Sequence, residues 1–264
     1  MKPEDGMFLG PREAAEMGFE TDGAPEHSCE HCGKRLEPLG VVLNGRVAWV
    51  GRRECGCEGE AEAARIEEDK VRAREHAERE MAQERKLRSA GIAKRYASAE
   101  VSSAQCARYL REFADCDGSG LYIHGGVGTG KTALASALAR KFVEAGYKVI
   151  LTTSISMLES IQETYGSEAS SRDACHGYGE CDVLVLDDLG KESASSWAVM
   201  TLFQIVNMRY ESMLPTIVTS QYTLYGLTKR LSRSGESETA EAIVSRLGGT
   251  CEEVRLPGGD RRRK

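Results

Sequence analysis

Residues Leu121 to Thr132 restrict what this chain can fold into more than any other stretch. A short apolar run, Leu121-Tyr122-Ile123, feeds the loop Gly125-Gly126-Val127-Gly128-Thr129-Gly130-Lys131-Thr132. The alanine-rich stretch Ala133 to Ala139 follows, with helical character. A strand, a G-x-x-x-x-G-K-T loop and a helix start in that order form a cradle for a triphosphate. The glycines let backbone N–H groups come close to phosphate oxygens. Lys131 is spaced to reach the β- and γ-phosphates, and the Thr132 hydroxyl to ligate Mg2+. A chance glycine turn before a helix would not supply both flanks. The pattern predicts binding of a nucleoside triphosphate.

A second run reinforces the first. Val183-Leu184-Val185-Leu186 ends in Asp187-Asp188. Four consecutive apolar residues suit a strand buried on both faces of a parallel sheet. Carboxylates at its C-terminal end lie where open α/β sheets bind ligands. Asp187 is expected to hold Mg2+ and Asp188 to polarise the attacking water. Paired acids also end strands and cap helices, but the glycine loop favours the nucleotide reading.

Around these two motifs the elements alternate. A helix is expected over Ser103 to Ala114 and a strand over Tyr147 to Thr152, with a further helix over Ser156 to Thr164. Ser167 to Gly179 is polar and glycine-bearing and reads as a loop. Trp197 to Tyr210 reads as a helix, with Val199, Phe203, Val206 and Tyr210 as a core-facing stripe. Pro215 to Gln221 is another buried strand whose polar end would place Gln221 near the γ-phosphate. Glu252 to Leu256 closes the sheet. The expected fold is α/β, a doubly wound parallel sheet of the P-loop type flanked by helices.

The N-terminal third is different in kind. Cys29-x2-Cys32 and Cys55-x-Cys57 enclose twenty-two residues that contain Asn44-Gly45 between two β-rich runs. Asn-Gly in that setting is a hairpin signal, and a hairpin brings its ends together. The four thiols then form a tetrahedral zinc site, structural because the protein fills every position. So small a module cannot bury enough apolar surface to fold unaided. The second pair is C-x-C and not C-x-x-C, and His27 and His31 are near enough to compete as ligands. Nine cysteines, an odd number, suit a reducing compartment. From Glu58 to Arg88, eighteen of thirty-one residues are charged, with acid-first i,i+4 pairs and no heptad, which reads as a solvated helical spacer. The expected organisation is a flexible segment (1–27), a zinc-ribbon-like partner-binding module (28–58), a charged helical linker (59–95) and the ATPase domain (96–264).

Composition excludes little else. The net charge of −6 argues against a sequence-independent nucleic-acid glue without excluding a local basic patch. No apolar stretch approaches the ~20 residues that span a bilayer. The first residues lack the pattern of a secretion signal. A cytoplasmic protein with no membrane contact is expected. The tail Arg261-Arg262-Arg263-Lys264 suits either DNA phosphates or a solvated end. Residues 156–165 and 229–233 are candidates for lining a DNA path, and the remaining cysteines read as ordinary thiols.

The C-terminal domain resembles the bacterial AAA+ ATPases of the DnaC/DnaI helicase-loader and IstB transposition-helper group. The resemblance rests on Gly125 to Thr132, on Leu186-Asp187-Asp188-Leu189-Gly190, on Pro215 to Ser220 and on Ala242 to Leu247, with Ile92 to Tyr96 as the lead-in. It implies ATP as the nucleotide and ATP hydrolysis as the activity. Where the family ends its fourth core strand in Thr-Ser-Asn, this chain has Thr219-Ser220-Gln221. Arg246 occupies the family's arginine-finger position, with Arg230 and Arg233 as rivals, which implies self-assembly. The implied function is DNA replication: binding the replicative hexameric helicase and loading it onto single-stranded DNA. The N-terminal module resembles the zinc-bearing helicase-binding domains of loaders. The alternatives are an ATPase helper of a transposase and, more remotely, a metal-dependent DNA-binding regulator.

Overall fold

The computed structural model describes residues 6–164, 171–193 and 195–260. The chain divides into two compact units, Met1–Glu80 and Met81–Lys264.

In the first unit, β1 (Phe8–Leu9) leads into the short helix α1 (Pro11–Glu16), and β2 (His27–Ser28) pairs with β3 (Arg35–Leu36). Strands β4 (Pro38–Leu43) and β5 (Arg46–Arg52) form the expected antiparallel hairpin. Its turn residues Asn44 and Gly45 both have positive φ, 50° and 73°, the conformation a tight hairpin requires. Residues 1–27 are expected to be flexible, yet β1 pairs with β4, placing Phe8 opposite Val41 and Leu9 opposite Gly40. Leu9 and Ala14 are buried with Val42, beside Phe19, Val47 and Trp49. A two-stranded hairpin has too little apolar surface to be stable alone, and the added strand and helix cover one of its faces. Residues 1–5 lie outside the described residues. Helix α2 (Glu58–Ser89) carries ion pairs at the expected spacing, Glu68–Arg72 at 2.6 Å and Glu75–Arg79 at 3.7 Å.

The second unit is built on a five-stranded sheet in the order β10-β6-β9-β8-β7, every neighbouring pair parallel. In chain order it runs α3 (Ala104–Glu112), β6 (Gly120–His124), α4 (Lys131–Glu144), β7 (Val149–Thr153), α5 (Ser154–Glu163), α6 (Ser171–Glu180) and β8 (Val183–Leu189). It continues with α7 (Ser196–Glu211), β9 (Thr216–Ser220), α8 (Leu224–Leu231), α9 (Ser237–Thr250) and β10 (Cys251–Arg255). Alternate residues of each central strand serve opposite faces. Leu121, Ile123, Val183, Val185 and Ile217 pack with Leu134, Leu138 and Phe142 of α4. Tyr122, Leu184, Leu186 and Val218 pack with Met157, Leu202, Ile205, Ile243 and Leu247 on the other face. That two-sided burial is why the strands read as unbroken apolar runs.

Three expectations need correction. Glu58 to Arg88 is expected to be solvated and the linker to run to residue 95, but Leu87, Ala90 and Ile92 are buried in the core around α4. The Leu151 N–H donates to the Ala90 carbonyl at 2.7 Å, so this segment covers the open edge of β7. Ser167 to Gly179 is expected to be a loop, but residues 171–180 form α6; residues 167–170 lie outside the described residues. Its glycines suggest a loop because the contact they serve is tertiary. Gly179 faces the flexible Met208 side chain of α7, so the contact that α6 makes here is tertiary. Finally, Tyr210 does not join the core stripe of α7: Val199 and Val206 are buried, whereas Tyr210 is half exposed. The buried face is completed by Leu202, Ile205 and Arg209.

Arg209 is 1% exposed, and burial pushes its guanidinium down from its ordinary value. It donates to the carbonyls of Tyr178 (3.0 Å), Cys181 (2.8 Å) and Pro215 (2.7 Å) and to Thr216 Oγ1 (2.9 Å). These acceptors lie at the C-terminus of α6, just before β8 and at the start of β9, so one cation ties three segments. Truncation orphans several buried carbonyls at once. Arg209→Ala is expected to destabilise the second unit by about 3 kcal/mol or more, read as a lower urea midpoint at unchanged m-value.

Candidate functional site

The phosphate loop leaves β6 at His124 and enters α4 at Lys131, as its sequence requires. The Lys131 ammonium is buried and donates to the carbonyls of Gly125 (2.9 Å) and Gly126 (2.8 Å). The Thr129 hydroxyl closes the loop onto Gly126 O at 3.0 Å. Gly128 has φ +76°, and a Cβ there would lie 2.0 Å from Asp260 Oδ1, so the C-terminal segment packs directly against the loop. A cavity of about 270 Å³ opens beside it, lined by Val127, Gly128, Gly130, Lys131 and Thr132 together with Arg95, Tyr96, Asp188, Lys191 and Gln221.

Asp187 ends the buried stretch of β8 at 4% exposure. It accepts the Thr132 hydroxyl at 2.9 Å and the Thr219 hydroxyl of β9. Burial pushes its carboxyl up from the ordinary range and the Asp188 charge adds to this; the two hydroxyls pull it back. Asp188 departs from strand geometry. Its φ is 59°, and the β8–β9 register shifts between Leu186 and Leu189. Its N–H donates to Thr219 Oγ1 at 2.9 Å and its carboxylate pairs with Lys191 at 2.7 Å. The bulge turns the second carboxylate away from the strand's alternation and into the cavity.

Among the residues expected at this site, the structure brings together the loop, Asp188 and Gln221 around the cavity, with Asp187 behind Thr132. Arg246 lies elsewhere. Its guanidinium stacks over Phe203 (4.9 Å) and Tyr210 (5.5 Å) and donates to Asn207 Oδ1 at 2.8 Å. Of its rivals, Arg230 donates to the carbonyls of Gly190 (2.9 Å) and Glu192 (2.7 Å), clamping the turn after β8. Arg233 is exposed.

The four cysteines converge. All four sulfurs lie within 4.8 Å of one another, Cys29–Cys57 at 3.6 Å and Cys32–Cys55 at 3.3 Å. Sulfurs at ~2.3 Å around a tetrahedral zinc stand about 3.8 Å apart, so the donor set and spacing fit that ion. The N–H groups of Cys32 and His31 hold the Cys29 thiol down to about 6, while the hydrogen bond that the Cys55 thiol shares with Cys32, with burial, pushes Cys55 up to about 12. Neither His27 nor His31 belongs to the cluster among the described residues. Thr132 at the cavity and Asp187 behind it form an oxygen pair that likewise fits a hard cation such as Mg2+.

Comparison with known proteins agrees with this geometry. The model of the IstB-like ATP binding protein family matches residues 60–264. The chain belongs to the DnaC/IstB family of AAA+ proteins. The replicative helicase loader DnaI of Bacillus subtilis is 28% identical to this DnaC/IstB member over 55% of this chain and 48% of its own. The replicative helicase loader DnaC of Escherichia coli is 26% identical over 47% and 51%. The chain thus spans about half the length of these curated relatives. A crystal structure of DnaI superposes with a TM-score of 0.55 at 22% identity, covering 63% of this chain and 95% of that one, which shows the shared fold. No helix among the described residues is long and apolar enough to cross a membrane.

Sequence reasoning missed the nucleotide-side placement of Arg95, Tyr96 and Lys191 and the buried Glu192. Glu192 accepts the Ser154 hydroxyl at 2.5 Å and the Gly190 N–H at 2.9 Å. No spacing signals these residues; only the lead-in Ile92 to Tyr96, quoted for its resemblance, points to two of them.

The purified chain is expected to hold one zinc ion. Cys32→Ser or Cys55→Ser should lower the zinc content by native mass spectrometry and lower the melting temperature of the first unit. A fully stable, zinc-free chain would refute the site.

Proposed function

We propose that this chain is an ATP-hydrolysing loader of a replicative helicase. The observation that carries the reading is the convergence of Lys131, Thr132, Asp187, Asp188 and Gln221 on one phosphate loop, in a chain that also bears a four-cysteine module. The four-cysteine module, residues 1–58, then serves as helicase-binding module, residues 59–80 as linker and residues 81–264 as motor.

Within the motor, loop N–H groups and Lys131 bind the β- and γ-phosphates of ATP. Thr132 and Asp187 would hold Mg2+, which when bound would supply charge neutralisation on those oxygens. A water oxygen forms a bond to the γ-phosphorus as the bond from that phosphorus to the β,γ-bridging oxygen breaks. The electron pair leaves with ADP, and the water's proton passes to Asp188. Gln221 orients the water. Arg246 acts on a neighbouring copy's γ-phosphate; its place on α9, outside the lining of its own chain's cavity, supports action in trans. ATP binding favours an assembly engaged on single-stranded DNA, and hydrolysis releases it.

The test is gel filtration with light scattering on the chain mixed with its own organism's replicative helicase, with and without ATP. A stable complex that is lost on deleting residues 1–58, which leaves the second unit whole, is expected. Lys131→Ala should abolish ATP hydrolysis, and Arg246→Ala should retain ATP binding while losing hydrolysis stimulated by assembly. No complex under any nucleotide condition overturns the loader reading and favours a transposase helper, for which the IstB-like family match speaks.

A further inference from the structure

Among the described residues that line the nucleotide cavity, Lys191 is a half-exposed side chain paired with the proposed proton acceptor. Its backbone is fixed on both sides. The carbonyls of Gly190 and Glu192 are held by Arg230, and the Lys191 N–H closes a turn onto Asp188 O at 3.2 Å. Asp188 is fixed as well, by its left-handed backbone and by the bond from its N–H to Thr219. The Asp188 backbone is therefore held by the strand bulge and not by its ion pair.

The ammonium is free by comparison. It ends a long flexible stem, the side chain is 43% exposed, and it lies 2.7 Å from Asp188 Oδ2 in a cavity shared with Lys131 and Thr132. A partly exposed ion pair of this kind is weak. A terminal phosphate brings more charge and three acceptor oxygens, so it competes well for the same ammonium. The side chain thus has two anionic partners, one resident and one supplied by the ligand.

We infer that Lys191 senses the γ-phosphate, pairing with Asp188 until a terminal phosphate draws its ammonium away and leaves the Asp188 carboxylate free to accept the proton of the attacking water. This rests on the ATP-binding reading of the same cavity. It separates Lys191 from Lys131, which the loop also needs for the β-phosphate. Lys131 serves ATP and ADP alike, whereas Lys191 discriminates between them. The same movement uncovers the Asp188 carboxylate toward the cavity only in the ATP-bound chain.

The test is calorimetric titration of the full chain with a non-hydrolysable ATP analogue and, separately, with ADP. Lys191→Met, which keeps length and loses charge, is expected to lower analogue affinity about tenfold, equivalent to about 1.4 kcal/mol. ADP affinity should stay within about twofold on the same scale. Lys191→Arg should restore most of the discrimination. Asp188→Asn, which removes the competing partner, should tighten the analogue and not ADP, and this gain should vanish in the double variant with Lys191→Met. Equal losses for both nucleotides, or no loss for either, overturn the sensing role alone. An unaltered chain that binds neither nucleotide overturns the ATP-binding reading and the sensing role with it.

Discussion

The Asp187 carboxylate is the point on which the second unit's chemistry depends. It is almost fully buried, and a buried carboxylate is costly unless its oxygens are engaged. Here they are engaged by hydroxyls from two other elements, Thr132 at the start of α4 and Thr219 in β9. Thr219 has a second task, since its oxygen accepts the Asp188 N–H. One hydroxyl therefore fixes both the carboxylate that faces Thr132 and the backbone that aims the next carboxylate. The phosphate loop, the end of β8 and the end of β9 are set relative to one another through these few bonds.

That arrangement is possible only because the sheet is parallel. All five strands deliver their C-terminal ends to one side, and the helices that follow begin there. The apolar cores on the two faces hold the strands in register, so the polar residues that end them are positioned by packing rather than by loops. The exception is deliberate in its effect. At Asp188 the β8–β9 register breaks, and a residue that alternation would have turned elsewhere faces the cavity. Arg230 secures the turn that follows, which places its role in the architecture of its own chain's site.

How much of this was legible in the sequence follows from the range of each interaction. The central strands, the phosphate loop and Asp187 were readable because their signals are local: runs of apolar residues, glycines at set spacing, a strand that ends in acids. The cysteine cluster was readable because Asn44-Gly45 fixes a hairpin and a hairpin fixes proximity. Helix α6 was not, since Gly177 and Gly179 break the local pattern while the stabilising contact, Gly179 against Met208, is tertiary. Arg95 and Tyr96 were not assigned to the site because they reach it across the fold from a short turn. Tyr210 was misplaced because a helical stripe shows which residues share a face and not how far the neighbouring elements cover it. The start of the second unit shifted for the same reason: Leu87, Ala90 and Ile92 look like the end of a charged helix until β7 is seen to lie open beside them.

The first unit poses the opposite physical problem. Its core consists of Leu9, Ala14 and Val42 with a few half-buried neighbours, far less than a module needs to fold on apolar burial alone. Its ion pairs do not make up the difference. Arg53 joins Glu13 at 3.0 Å and Glu37 at 3.2 Å, but all three side chains are well exposed, and such pairs contribute little. What remains is the cysteine cluster and the segment that supports it. Glu60 accepts the N–H groups of Cys55 and Gly56 and pairs with Arg52 at the end of β5, and its own N–H donates to the Cys57 sulfur. The cluster is thereby tied to the hairpin on one side and to the first turn of α2 on the other. A metal at the four sulfurs would act on all three segments at once, and its binding energy would be folding energy for the whole module. The hairpin brings the sulfurs together, and a metal bound there would in turn hold the hairpin.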